Sequence, residues 1–211
     1  MQKKRAMSNL IKLANGGASI VADEWQTVAL PASNEIERKQ AGKVVLFKLT
    51  GENTITAEQI ANTVIPASGK IIVPLSVLIT RHSELTNRIA KGEIGVWLAT
   101  HELLENLTQH QKDLNALPII AIFVERFADG RIFSLGSLLR TRYGYQNELR
   151  AFGDVLRDQL FFLKRSGFTS LLIRADRSAQ DALAGLNDFS KPYQGAVDEP
   201  RPIFKRYHRG N

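Results

Sequence analysis

Residues 127–159 read FADGRIFSLGSLLRTRYGYQNELRAFGDVLRDQ and mix Arg, carboxylate, Ser and Gly among good core residues. Arginine forks match carboxylates and oxyanions in two-pronged geometry, so this chemistry suits the binding of phosphate, sulfite or a carboxylate. Three apolar runs end next to it. LPIIAIFV (117–124) leads into VERFADGRIFS, ELRAFG (148–153) into Asp154, and TSLLIR (169–174) into RADRS. Those ends gather Glu125, Arg126, Asp129, Arg131, Arg150, Asp154, Arg174 and Asp176. With Ser134 and Glu148 they give a candidate anion or substrate site at Asp129, Arg131, Ser134, Glu148, Arg150, Asp154 and Arg174. The same residues also suit a structural network. ADG is a good turn, Asp154 suits a helix N-cap, Glu148 and Arg150 can pair on one strand, and Asp154 and Arg157 across one helical turn. Arg140, Arg142 and Arg165 are expected on solvated faces.

The elements that must position these groups alternate. Short Val- and Ile-rich runs at 44–49, 70–75, 94–99, 117–124, 148–153 and 169–174 predict strands. Between them lie helical patterns at 56–65 (N-cap Thr56), 100–110 (N-cap Thr100), 134–143 (starting at Ser134 and stopping at Gly144), 154–167 (starting at Asp154) and 178–189. Repeated βα units predict an α/β fold with a mostly parallel sheet. In 148–153, Glu148, Arg150 and Phe152 share one face, which is awkward in a sheet covered by helices on both sides and easier on the inward face of a barrel. An incomplete (β/α)-barrel is expected, with an open flavodoxin-like three-layer sheet as the alternative; ligands bind at the C-terminal strand ends in either. ASIVADEWQTVAL (18–30) suggests a hairpin or edge strand. The expected organisation is an N-terminal extension over 1–40, one α/β domain over 41–190 and a basic, proline-containing tail over 191–211.

The 211 residues carry a formal net charge of +7, of which residues 1–12 and 201–211 hold +4 each, leaving −1 for the body. Met7 could be the natural start, which would remove three of the N-terminal charges. Basic ends can contact nucleic acid through phosphates, but the body shows no basic stripe. The absence of cysteine rules out an iron–sulfur cluster or Cys-ligated zinc held by this chain alone. The four histidines lack metal-ligand spacing, and His101 stands near a strand end. No dinucleotide fingerprint, phosphate-binding P-loop or nucleophile elbow is present, though flavin phosphate sites on barrels need no such motif. No run is long and apolar enough for a membrane span, and the N-terminus lacks the apolar core of a signal peptide, so a cytoplasmic protein is expected.

The pattern DGR…S…LLR…GY…ELRA.GDV..DQ…R.GF, followed by FSKPYQ and PIFKR, resembles an uncharacterised bacterial family often labelled as oxidoreductases involved in sulfite reduction. The resemblance spans 118–205 and falls on Asp129, Gly130, Arg131, Ser134, Arg140, Gly144, Tyr145, Glu148, Arg150, Gly153, Asp154, Asp158 and Gln159. Glu125 departs from the family pattern. The resemblance implies a place in sulfite reduction and sulfur assimilation, with sulfite or nitrite reductase components as partners, and it carries no catalytic residue over. Three expectations follow: an accessory protein with an Arg-lined anion site, an oxidoreductase acting directly through flavin or NAD(P)H, or a nucleic-acid-associated protein using its basic ends.

Overall fold

Successive strands of the parallel part of the chain lie side by side. The computed structural model describes residues 8–14, 17–31 and 55–206. The strands are β1 (Leu10–Ala14), β2 (Gly17–Val21), β3 (Trp25–Thr27), β4 (Lys70–Pro74), β5 (Ile94–Ala99), β6 (Ile119–Val124), β7 (Glu148–Gly153) and β8 (Ser170–Leu172). They form one sheet in the order β2-β1-β8-β7-β6-β5-β4-β3. All pairs from β3 to β8 are parallel, while β1 runs antiparallel to both β2 and β8. The helices are α1 (Ala57–Ala61), α2 (Leu75–Thr80), α3 (His82–Ala90), α4 (Leu104–His110), α5 (Arg131–Thr141), α6 (Leu160–Arg165), α7 (Ala179–Ala182) and α8 (Ile203–Arg206), with three short 3₁₀ turns.

This order bends the sheet. Right-handed crossovers between consecutive neighbours all return on the same side, so the helices gather on one face. That face is aliphatic: Val73, Val96, Leu98, Ile122, Leu149 and Leu171 are buried in one cluster with Leu78, Leu107, Leu139 and Leu163 from the helices. Each such side chain contributes about 1.5–3 kcal/mol through burial. β2 and β3 stand at opposite edges, yet only residues 22–24 separate them. That link spans at most about 14 Å, whereas a flat sheet of this width would measure about 34 Å at a spacing of ~4.8 Å per strand. The sheet is therefore curled into a half-barrel, the barrel-like arrangement expected from the charges on 148–153. Residues 10–27, expected as an extension, supply three of its strands.

The strands at 94–99 and 148–153 fall where the sequence puts them. Thr56 caps α1 through its side chain, as expected. The predicted strand at 44–49 lies outside the described residues. Three helix starts differ. Thr100 caps nothing; the helix begins at Leu104 because Thr100 Oγ1 bonds the Asp129 carboxylate instead. The helix expected from Ser134 begins at Arg131, where Asp129 Oδ1 accepts the Arg131 N–H at 3.1 Å and satisfies an orphan donor of the first turn. Asp154 caps no helix. Gly153 turns there at φ +99°, and helical structure resumes only at Arg157.

Candidate functional site

The inner face of the sheet differs from the helix face. Strand register sets Trp97, Ala121, Arg150, Ser170 and Lys12 in one row across five strands. Toward the C-terminal ends this face is aromatic: the rings of Trp97, Phe123 and Phe152 lie 5.2–6.0 Å apart. Below them it is ionic. Arg150, 1% exposed, donates to Asp23 at 2.8 and 3.0 Å and to Glu148 at 2.8 and 3.2 Å. Glu148 also takes Ser170 Oγ at 2.7 Å and Lys12 Nζ at 2.9 Å. Burial alone would raise the Glu148 carboxyl, but hydrogen bonds from Lys12 and Ser170 and the charge of Arg150 hold it below the usual glutamate range. The two cations and two carboxylates balance, so Glu148 and Arg150 form a closed network.

At the C-terminal end of β6, the loop before α5 is held by two side chains from beyond β7. Asp154 Oδ2 accepts the Phe127 N–H at 2.9 Å, and Gln159 Nε2 donates to the Phe127 carbonyl at 2.9 Å. Arg174 joins Asp154 at 2.6 Å and Asp176 at 2.6 Å. Asp176 in consequence sits below its ordinary range, through its hydrogen bond from Arg174. The expected pair Asp154–Arg157 does not form; Arg157 pairs with Asp188 at 2.9 Å. Within the tethered loop the Asp129 side chain, 7% exposed, binds Arg131 Nε at 2.9 Å and Nη2 at 2.6 Å and accepts from Thr100 Oγ1. This clamp fixes the Arg131 guanidinium, which stays about half exposed.

Arg131 and Ser134 stand on one wall of a cavity of about 360 Å³ above the C-terminal end of β5. Thr100, His101, Glu102, Leu103, Leu104 and Glu105 supply the β5–α4 side, and Leu135 and Leu138 join Arg131 and Ser134 on the α5 side. Glu102 Oε2 accepts the Ala99 N–H at 2.7 Å, yet burial pushes this carboxyl above the usual glutamate range. Glu105 Oε1 takes the Tyr143 hydroxyl at 3.1 Å. His101 Nδ1 is buried and has no hydrogen-bond partner among the described residues. A second cavity of about 350 Å³ lies beyond β8, between Arg157, Asp158, Arg177, Ser178 and Asp181.

The residues singled out from sequence thus separate into three groups. Arg131 and Ser134 line the cavity, with Asp129 clamping Arg131 from behind. Asp154 and Arg174 brace the loop beside it. Glu148 and Arg150 lie on the inner face of the sheet. Each of the three arginines has a carboxylate partner. His101, Glu102 and Glu105 were not grouped with them in advance; their position just past a strand end was the available signal. Two arginines expected on solvated faces are tied down. Arg140 donates to the carbonyls of Tyr145 (2.6 Å), Asn147 (2.9 Å) and Gly167 (2.9 Å), and Arg165, 7% exposed, donates to the Gln194 carbonyl at 2.5 Å. Arg142 is exposed, against the Tyr143 ring. Among the described residues no group of three or more His, Asp or Glu could hold a metal ion, and no helix is long and apolar enough to cross a membrane.

No curated protein and no solved structure matches the chain. A family profile described as bacterial protein of unknown function (DUF934) matches residues 95–204, which include all but the first residue of β5, the whole of β6 to β8 and every residue lining the cavity between α4 and α5. With 110 of its 211 residues matched, the chain belongs to this family.

Proposed function

We propose that the chain serves assimilatory sulfite reduction as an accessory or oxidoreductase-like protein, and that its small-molecule site is the cavity between α4 and α5. Arg131 would take an anionic group of the ligand there. The pathway is supported by the DGR…LLR…GY…ELRA.GDV..DQ resemblance. One observation carries the site: a half-exposed guanidinium, clamped by Asp129, on the wall of a cavity at the C-terminal strand ends. That is where βα folds place ligands. A clamped arginine loses less conformational freedom on binding than a mobile one. At about 360 Å³ the cavity stands at the small end of the ~300–1,000 Å³ range of ligand sites, which favours a small molecule over a dinucleotide.

The test is a thermal-shift and calorimetric screen with sulfite, sulfate, phosphate, acetate and the amino acids, on the wild-type chain, Arg131→Lys and Arg131→Ala. Binding by at least one of these anion-bearing compounds, weakened about tenfold or more in both variants, is expected, because lysine keeps the charge but loses the fork. Unchanged affinity in both variants, or no binding by any compound, contradicts the proposal. Circular dichroism on each variant separates lost binding from lost fold.

A further inference from the structure

The cavity is charged on both sides, with opposite signs. The α5 side carries Arg131, and the α4 side carries Glu102 and Glu105. Glu102 has a backbone N–H as partner, but among the described residues no lysine or arginine pairs with it. Among the described residues, the Glu105 carboxylate has the neutral Tyr143 hydroxyl as its partner. Apart from the neighbouring His101 ring, whose charge lowers the Glu102 carboxyl, this half-buried group has no counter-ion among the described residues; it is costly to keep charged, and a cation delivered by a ligand would remove that cost. A plain anion bound at Arg131 would instead face two carboxylates across the same small space, with Asp129 already behind the guanidinium. Between the charged walls Leu103, Leu104, Leu135 and Leu138 provide apolar surface.

We infer that the ligand of this cavity is a small zwitterion of the amino-acid class, its acid group on Arg131, its ammonium on Glu102 and its apolar body between the leucines. This rests on the proposal that Arg131 receives an anionic group and narrows the ligand that can do so. The sulfite-pathway role is independent of it.

The experiment is calorimetry on the full-length chain with the standard amino acids. Each binder is then compared with its deaminated acid and its decarboxylated amine; for leucine these are 4-methylpentanoate and isopentylamine. An amino acid should bind about tenfold or more tightly than either counterpart, the ratio expected when a partly buried carboxylate gains or loses a cation. Glu102→Gln should remove most of the preference over the acid and leave the acid's own affinity unchanged or improved, whereas Arg131→Lys should weaken both. Acids that bind as tightly as amino acids, or a preference that survives Glu102→Gln, would overturn the zwitterion while leaving the Arg131 site intact. If neither acids nor amino acids bind, both fall. Should Glu102→Gln lose its circular dichroism signal, the comparison of amino acid with deaminated acid in the wild-type chain decides alone.

Discussion

Arg150 Nη1 donates to both carboxylate oxygens of Asp23, at 3.0 and 2.8 Å, and so ties the middle of the sheet to the three-residue link between its two edges. The guanidinium spans from β7 to residue 23 while its other nitrogens engage Glu148. The curl of the sheet is thus latched from inside by charge, in addition to being driven from outside by aliphatic packing.

Cutting this latch should be expensive. Arg150→Met leaves Asp23 without that cation and Glu148 with Lys12 alone, and breaking a buried pair from one side costs about 3–5 kcal/mol. Urea unfolding should show the midpoint drop accordingly. Adding Glu148→Gln and Asp23→Asn to Arg150→Met should recover part of the loss. A single Arg150→Met variant as stable as wild type would mean that the latch does not hold the sheet.

The same network sets an acid limit. Glu148 is held below its ordinary range in the folded chain, so the unfolded chain binds its proton first as pH falls. Its contribution to stability is present above the unfolded glutamate value of roughly 4.3 and is lost as pH drops through the lower folded value. Stability measured from pH 6 to pH 3 should decline more steeply for wild type than for Glu148→Gln. Parallel curves would show that Glu148 is not the group responsible.

Glu102 predicts the opposite sign. Its carboxyl is raised by burial, so the folded chain holds the proton more tightly than the unfolded one. Its ionisation costs stability above the folded value, and that cost disappears as pH falls below the unfolded value. Glu102→Gln keeps an acceptor for the Ala99 N–H and removes the charge. It should melt a few degrees higher than wild type at pH 7, by ~2–4 °C per kcal/mol for a chain of this size, with the gap closing toward pH 4. A change that gains stability and loses ligand preference is the pattern expected of a residue kept for binding.

The loop carrying Asp129 and Arg131 is positioned from outside. Asp154→Ala removes the acceptor of the Phe127 N–H and one partner of Arg174, and lost hydrogen bonds of this kind cost about 1–3 kcal/mol. Amide exchange should quicken at residues 125–131 while β6 and β7 stay protected, and any ligand held by Arg131 should bind more weakly without a change of partner residues. Unaltered exchange in the loop would show that the tether is dispensable.

The legible parts of the chain were those set by local pattern. The runs at 94–99 and 148–153 are bounded by turn residues, and the faces of 148–153 predicted a polar interior from Glu148 and Arg150 alone. What escaped was set by partners distant in sequence. Arg140 looks solvated until Gly167, 27 residues away, presents its carbonyl, and Arg165 until Gln194 does so 29 residues away. Helix starts slipped because Thr100 bonds Asp129 rather than capping α4, and because Asp129 satisfies the first turn of α5 ahead of Ser134. LIKLA (10–14) shows no continuous apolar run in the sequence because Lys12 interrupts it, although that half-exposed lysine pairs with Glu148 on the inner face of the sheet.

Amide chemical-shift mapping is the most direct measurement, with the wild-type chain titrated first with sulfite and then with the amino acids found to bind. The largest shifts should fall on residues 100–105 and 131–138, the two walls of the Arg131 cavity, and vanish in Arg131→Ala. Shifts centred on residues 156–158 and 177–182, at the second cavity, would contradict the Arg131 site, as would a spectrum unmoved by every compound.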